Sequence, residues 1–498
     1  MKANTGDTRI NQNLPSDMSY GRCLKTWGIL LIVIGVISAV ILVSASMMTG
    51  VSIYAMTVSP GFLEIAGIVL LIIGSIQEKN NPERVVPLWA ANLTTKVMTL
   101  IKKYTMIIAL VVVFILFATL TNGRLLLPQN LSNLLLQNAY VLVMACGMLL
   151  CILTGGNIDL SIGSTVCLIG AISAVLLKTN FAGDPLATAL LVILIGLVLA
   201  ILIGMWQGYL IGYVHIPPFI CTLAGMFLYR GIGRAILDSK TVAISNKPFL
   251  NIFGSYINIP GVDDIERLVD MKGRMVNQPI IYSALIVGIL VAVALVVMFF
   301  TGRARKASKG YKLDPIAPGL ARTVIIAALV VYYTWKLANY KGIPVMAIWV
   351  LAVVLIYNFI TSKTALGRYF YAVGGNEKAT KLSGIDTRRV YFLAYTSMSM
   401  LAGLAGMLVA TRVGSVNGDT GNAFEMDAIG SCFIGGASAY GGSGTVGGIM
   451  VGAILLGIIN QGMSIIGLDN NWRYVVKGAV LLAAVVFDVV SNHKKGKG

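Results

Sequence analysis

Charged residues are scarce in this sequence. Only 12% of its 498 residues are Asp, Glu, Lys or Arg, whereas 57% are hydrophobic, and the mean hydropathy is +0.83. Soluble domains carry roughly 25% charged residues, so this chain lacks the polar surface that a water-soluble fold of its size requires. The scarcity excludes an ordinary soluble protein and indicates that much of the surface faces lipid.

The residues that usually build metal centres and catalytic sites are also few. The chain has two histidines and six cysteines, and no two of the cysteines form a C-x-x-C pair. Paired acids and a nucleophile beside a base, which a membrane-embedded enzyme would need, are not evident. We therefore assign it no metal, no cofactor and no catalytic residue. It also lacks the Gly-x-x-x-x-Gly-Lys-Ser/Thr phosphate loop, so it does not hydrolyse ATP by that route.

Apolar runs of the length of a membrane span dominate what is present. A span needs about 20 apolar residues, and this criterion predicts an all-α, polytopic bundle of about 12–14 transmembrane helices. The runs near 322–337 and 427–440 are short, so we expect either to be re-entrant or deeply embedded in the bundle. The candidate spans lie near 27–46, 53–76, 105–121, 133–153, 158–177, 187–213, 217–236, 280–301, 322–337, 343–361, 390–412, 427–440, 445–467 and 474–490.

The positive charge is distributed unevenly along the chain. The net charge is +18, and basic residues concentrate in alternate connections, at 79–103, 303–312, 363–389 and 494–497. Lys and Arg accumulate in cytoplasmic loops of membrane proteins. The pattern therefore predicts a multi-pass protein of the cytoplasmic membrane with both termini in the cytoplasm. It also accounts for the positive net charge, so we expect no nucleic-acid partner.

The chain divides into an extension and a main part. Residues 1–104 hold two apolar runs, read as retained spans rather than a cleaved signal, and a charged linker; residues 105–498 form the main transmembrane domain. Glu64 lies inside the second run, where an acid is either functional or satisfied by a neighbouring polar group. The polar external loop at 237–280 is either a functional loop or a passive insertion.

Many of the 54 glycines fall in two polar breaks between apolar runs. One break occupies 154–163 and the other 430–448. Polar, glycine-rich backbone at membrane depth is tolerated only where protein or a water-filled cavity surrounds it, and transporters use such broken helices. Asp159 and Ser161 begin the helix after the first break, so Asp159 either caps that helix, the interpretation we favour, or contacts a solute.

The basic connection at 362–389 contains a second local pattern. Asn376 is a good N-cap residue, and we expect it to start a short helix from Glu377 to Ser383 that Gly384 ends. By its residues alone, the segment is equally well interpreted as a solvated connector or as an element that docks on a partner.

Several motifs resemble the permeases of bacterial monosaccharide ABC importers, which include ribose, xylose and galactose/methyl-galactoside systems. The resemblance covers about residues 130–490. It is carried by G-G-x-x-D-L-S-x-G at 155–163, G-R-x-x-x-A-V-G-G-N at 367–376, L-S-G-I at 382–385, I-P-P-F-I-C-T-L at 216–223, F-I-G-G-A at 433–437 and G-G-x-G-T at 441–445.

The resemblance implies an assembly. Two such permeases form a pore in the membrane lipid, each sits on a cytoplasmic ATPase subunit, and an extracytoplasmic binding protein delivers the sugar. The short helix of the basic connection is similar to the coupling helix that docks on the ATPase. Family members often have E-A-A-x-x-x-G there, whereas this chain has K-A-T-K-L-S-G at 378–384 with Glu377 adjacent. That departure puts individual salt bridges in question.

Site residues follow from the same resemblance. The coupling residues it implies are Asn376, Glu377, Lys378, Ala379, Thr380, Lys381, Leu382, Ser383, Gly384 and Ile385. The expected pathway or gate residues are Gly155, Gly156, Asp159, Ser161, Phe219, Thr222, Gly435 and Gly436.

Two other functions stay open at this point. A secondary transporter driven by an ion gradient would need buried acids, for which Glu64 and Asp159 are the candidates. An ABC permease could also carry a nucleoside or another small polar solute. An uncharged sugar needs no fixed counter-ion in its path, which agrees with the near absence of charge in most predicted spans.

Overall fold

The computed structural model describes residues 106–259, 261–263, 280–311, 315–469 and 471–482, together with isolated helical positions at 24, 25, 27, 66, 68–70, 72, 73 and 75. The chain divides into two compact units, Met1–Gly123 and Arg124–Gly498. In the first unit the longest described helix, α1, spans Met106–Leu120. Glu64, most of the two predicted N-terminal spans and most of the external loop after residue 263 lie outside the described residues.

The second unit is built almost entirely of helices. A 3-10 turn at Arg124–Leu126 comes first, and two-residue strands β1 (Val242–Ala243) and β2 (Ser415–Val416) pair antiparallel. The helices are α2 (Pro128–Leu153), α3 (Ile162–Thr179), α4 (Pro185–Gly212), α5 (Pro218–Ile236), α6 (Lys247–Gly254), α7 (Tyr282–Ser308), α8 (Ile316–Ala338), α9 (Val345–Lys363), α10 (Ala365–Gly375), α11 (Glu377–Leu382), α12 (Thr387–Val413), α13 (Phe424–Ile434), α14 (Val446–Ile466) and α15, described over 471–482.

Within the described ranges, nine helices are long and apolar enough to cross a membrane: α2 to α5, α7 to α9, α12 and α14. The predicted all-α polytopic fold is therefore confirmed. The short segment at 427–440 corresponds to α13, whose 11 residues span about 16 Å, half a bilayer. For 322–337 the expectation of a re-entrant or embedded segment was wrong, because the helix extends in both directions to form the 23-residue α8 and keeps most of its side chains exposed.

The core of the second unit lies around α2, α3 and α12. Most side chains of these three helices are buried by their neighbours, whereas α7 and α8 pack on each other and present apolar side chains outward. Large exposed apolar surfaces are rare on soluble monomers and typical of surfaces that another partner or lipid covers. The outward faces of α7 and α8 therefore suit a lipid environment.

Helix α4 packs directly on the backbone of α12 through glycines at every fourth position. A Cβ at Gly204 would lie 2.7 Å from the Thr396 Cα, and one at Gly208 would lie 2.7 Å from the Phe392 carbonyl oxygen. One turn further, a Cβ at Gly212 would approach the Arg388 carbonyl oxygen to 2.5 Å. Small residues at this spacing let helix backbones meet in a membrane, where dispersion and not water drives association.

This packing predicts that Gly208→Ala destabilises the protein. The added methyl group has no space against the α12 backbone, so we expect a loss of about 1–3 kcal/mol and a lower midpoint of thermal unfolding in detergent. Gly231→Ala on α5 is the matched control, because nothing lies within 4 Å of its Cβ position. Equal midpoints for the two variants would contradict the close packing of α4 on α12.

Candidate coupling and gate site

The first glycine-rich break interrupts the chain between α2 and α3. Helix α2 ends at Leu153, and the next helix begins at Ile162. Gly155 and Gly156 have φ values of +110° and +76°, a region that glycine enters without the Cβ penalty of other residues. The glycines therefore end the helix and turn the backbone, and the predicted break is confirmed.

A second break separates α13 from α14. Gly436, Gly441, Gly442 and Gly444 all have positive φ values. Gly435 lies against α14, where a Cβ would come 2.5 Å from the Ile449 Cα. The residues between the two helices thus form a compact loop whose turns depend on glycine.

The two breaks contact each other through their backbones. A Cβ at Gly156 would collide with the Ala439 carbonyl oxygen, and one at Gly441 would lie 2.5 Å from the Gly155 Cα. The Gly442 amide donates a hydrogen bond of 3.1 Å to the Leu153 carbonyl. Segments almost 300 positions apart in the sequence therefore meet with no side chain between them.

Helix α10 completes this contact. A Cβ at Gly374 would collide with both the Leu153 carbonyl oxygen and the Gly442 amide nitrogen. The Tyr371 hydroxyl donates a 2.7 Å hydrogen bond to the Gly444 carbonyl, and burial raises the pKa of this phenol, which keeps the donor proton in place. We call Gly155, Gly156, Gly374, Gly441 and Gly442 together the glycine junction.

Helix α11 follows α10 directly. The Asn376 Oδ1 accepts a 3.0 Å hydrogen bond from the Ala379 amide, and Gly384 has a φ of +83°. The predicted Asn376-capped helix with a glycine after its end is therefore confirmed, with its last helical residue at Leu382. Leu382 is 89% exposed, although it is apolar, whereas Thr380 is buried against the protein.

Tyr391 lies between the exposed helix and the first break. The Tyr391 hydroxyl, on α12, donates a 3.1 Å hydrogen bond to the Glu377 carboxylate, and the Asn157 side chain lies near the same hydroxyl. The Asn157 amide donates in turn to the Thr154 carbonyl at 2.9 Å. Sequence reasoning missed Tyr391, because an aromatic residue near the end of an apolar run carries no signal of its own.

A buried polar cluster lies behind the first break. The Asp159 Oδ1 accepts hydrogen bonds from the Ser161 amide at 2.9 Å and its hydroxyl at 2.7 Å. The Gln207 side chain donates to the Ser161 hydroxyl at 2.9 Å and accepts from Ser399 at 3.4 Å. The cluster joins the break to α4 and α12. The other carboxylate oxygen of Asp159 has no hydrogen-bond partner among the described residues.

The favoured interpretation of Asp159 as a helix cap was wrong. Ser161 holds the N-cap position of α3, and its side chain makes no capping hydrogen bond. Helix α3 begins at Ile162, so Asp159 lies two residues before the N-cap position. It instead holds the Ser161 amide from two residues before, a local turn that Asp side chains commonly make.

The two predicted pathway residues on α5 do not come together. Phe219 is 61% exposed on the surface of the unit, whereas Thr222 is buried and donates a 3.4 Å hydrogen bond to the Phe219 carbonyl. A cavity of about 440 Å³ lies between α4 and α5. Gln207 and Tyr229 line it, so the buried polar cluster borders this cavity.

The glycine junction predicts that Gly374→Ala displaces α10 and the helix after it. The methyl group would collide with backbone atoms that cannot move aside, so we expect trypsin to cut the purified protein after Lys378 and Lys381 several-fold faster. The adjacent Gly375→Ala is the control, because its Cβ position has no atom within 4 Å. Identical cleavage rates for both variants would show that the contact at Gly374 does not hold the segment.

Comparison with known proteins assigns this chain to a family. Residues 130–485 match the family described as "Branched-chain amino acid transport system / permease component". The chain is 32% identical over 391 residues to the xylose transport system permease protein XylH of Escherichia coli strain K12, an alignment that covers 78% of this chain and 92% of the relative.

Two further relatives from the same strain carry other sugar names. The ribose import permease protein RbsC is 28% identical over 77% of this chain and 92% of its own length. The galactose/methyl galactoside import permease protein MglC is 28% identical over 74% of this chain and 88% of its own length. No solved structure matches. The family match and the xylose permease each cover more than two thirds of the chain, which belongs to this family of transport-system permeases.

Proposed function

We propose that this chain is the membrane permease subunit of an ATP-driven, binding-protein-dependent importer of a monosaccharide. The observation that carries the proposal is the glycine junction, where two broken helices meet the segment that leads into the exposed α11. The sugar names of three relatives at 28–32% identity support the substrate class. The xylose, ribose and galactose classes are the candidates.

In this proposal α11 is the coupling helix that docks on a separate ATPase subunit. Leu382 is the apolar anchor in this proposal, because it is the largest apolar side chain of the helix and is exposed for a partner to bury. Lys378 and Lys381 border it and are also exposed. The chain lacks a phosphate loop, so the partner supplies ATP hydrolysis.

The rest of the assembly follows the same proposal. A second copy of the chain completes the pore, and an extracytoplasmic binding protein delivers the sugar from the face opposite α11. Both termini then lie in the cytoplasm, as the distribution of basic residues predicts. On α5 the exposed Phe219 and Phe227 are candidates for the surface that meets the second copy or lines the path.

The junction offers a way for motion to pass from α11 to the breaks. Backbone packed on backbone has no side-chain rotamer to absorb a displacement, so a shift of α10 must move the Leu153 end of α2 or the loop before α14. The hydrogen bond of Tyr391 to Glu377 ties α11 to α12 and adds a second link. We infer that docking and ATP-driven movement of α11 rearrange both breaks together.

Uptake in a reconstituted system tests the importer proposal. Proteoliposomes with this chain, its ATPase and its binding protein should accumulate xylose, ribose or galactose only with ATP on the ATPase side and with all ion gradients collapsed. Leu382→Ala should weaken ATPase binding by about tenfold, the effect of losing a central apolar anchor. Leu127→Ala, an exposed leucine at the distant end of α2, is the control and should leave ATPase binding unchanged.

One observation keeps a second function in view. The unpartnered oxygen of the buried Asp159 is the kind of group that an ion-coupled transporter uses. Uptake by this chain alone, driven by an imposed proton or sodium gradient and lost in Asp159→Asn, would replace the importer proposal with that one. ATP-dependent uptake of a nucleoside in place of a sugar would instead keep the importer and change its substrate.

The Tyr391 link generates a separate prediction. Tyr391→Phe removes the hydroxyl but keeps the ring, so we expect the solute transported per ATP hydrolysed to fall by about 2- to 10-fold, the range for one hydrogen bond. The thermal midpoint should change little. Tyr209→Phe on α4, whose hydroxyl has no hydrogen bond among the described residues, should retain the wild-type ratio. An unchanged ratio in Tyr391→Phe would remove this residue from coupling.

A further inference from the structure

A second cavity, of about 430 Å³, lies where α12 and α14 end and α13 and α15 begin. Unlike the cavity between α4 and α5, it is surrounded mainly by side chains that can donate hydrogen bonds. Its lining includes Gln137, Arg412, Asn422, Asn460, Arg473 and Lys477.

The cavity lies at the opposite end of the helices from α11. Helix α12 starts five residues after α11 and has 27 residues, which gives it a length of about 40 Å. Arg412 is in its last turn. The cavity is therefore on the side of the membrane opposite the proposed ATPase. Cationic residues are normally depleted on that opposite side.

The cations in the cavity exceed the acids that they can pair with. Lys477 lies 2.9 Å from the Asp427 carboxylate, which is 1% exposed, and the Tyr140 hydroxyl donates to the same group at 2.8 Å. These bonds satisfy Asp427 and use the charge of Lys477. The neighbouring Glu425 carboxylate lies against α3 beside Gly163 and does not line the cavity.

Two arginines of the cavity have no carboxylate partner among the described residues. Among the described residues, Arg412 has neither a hydrogen bond nor an ion pair, and Arg473 uses its Nε to donate to the Leu468 carbonyl at 2.9 Å. Both side chains line the cavity. A neutral sugar does not need two unpaired guanidinium groups, whereas a phosphate group accepts two hydrogen bonds from each guanidinium fork.

The surroundings fit a phosphate at the surface of the membrane. The amides of Gln137, Asn422 and Asn460 line the cavity beside the arginines and supply neutral donors for further phosphate oxygens. The exposed Trp472 and Tyr474 begin α15 at the same end, and such aromatic residues mark the depth of lipid headgroups.

We propose that this cavity is a binding site for a phosphate group, held by Arg412 and Arg473 with the neighbouring amides. The phosphate belongs either to the headgroup of an anionic phospholipid or to a soluble phosphate. The proposed site does not depend on which solute the permease carries.

Native mass spectrometry of the purified full chain tests the proposal with phosphatidylglycerol as the probe and diacylglycerol, which has no phosphate, as the lipid control. Thermal unfolding with millimolar inorganic phosphate tests the soluble source. The cavity variant is Arg412→Gln/Arg473→Gln. The control is Arg303→Gln/Arg305→Gln near the end of α7, which changes the net charge by the same amount away from the cavity.

We expect the wild type and the α7 variant to retain phosphatidylglycerol, and the cavity variant to bind it at least about tenfold more weakly. Stabilisation by inorganic phosphate alone, lost in the same variant, would identify the soluble source. If the double variant does not fold, Asn460→Ala should show a smaller loss in the same assays. Equal binding by all variants, or no preference over diacylglycerol and no effect of phosphate, would overturn the site.

Discussion

The close approach of three backbone segments at the glycine junction is the constraint on which the proposed coupling depends. Lipid cannot satisfy backbone amides and carbonyls, so a helix can be interrupted at membrane depth only where other protein groups replace its lost hydrogen bonds. Here the Gly442 amide bonds to the Leu153 carbonyl, and the Gly156 amide bonds to the Ile152 carbonyl. The second bond is local to the first break, whereas the first crosses between the breaks, so the Leu153 carbonyl at the end of α2 depends on the second break for its partner.

The same use of glycine organises the rest of the unit. Gly204, Gly208 and Gly212 place α4 on the backbone of α12, and this contact brings Gln207 to the cluster around Asp159 and Ser161. A membrane protein gains little from the hydrophobic effect between helices, so dense packing and internal hydrogen bonds must hold it together. The glycine contacts provide the dense packing, and the buried polar cluster provides the internal hydrogen bonds.

Much of the fold could be predicted from the sequence because its signals are local. Apolar runs define the spans, and Asn376 with Gly384 defines the short α11. The contact between the breaks could not be predicted, because it depends on positive φ values and on residues far apart in the chain. Gln207 gave no signal either, since a single polar residue in an apolar run has the same pattern whether it faces a cavity, another helix or the membrane surface.

The roles of the cavity cations could not be predicted from the sequence either. Arg412 and Lys477 lie near the ends of helices, where basic residues ordinarily flank a span. Only the structure shows that Lys477 is used by the buried Asp427 while Arg412 is not paired within the described chain. The position of a basic residue in the sequence predicts that it lies near the membrane surface. Whether it is paired with an acid or free to bind a ligand depends on contacts that only the structure shows.

The central place of α12 has a consequence for how the protein is made. This helix packs against α2, α3 and α4, yet it begins more than 200 residues after α2 ends. At about 5–20 residues per second, synthesis of the intervening chain takes tens of seconds or less. During that interval the glycine face of α4 and the side chain of Gln207 have no α12 to meet. Helices α2, α3 and α4 therefore remain incompletely packed in the membrane until α12 is inserted, so insertion and folding are separate stages for this unit.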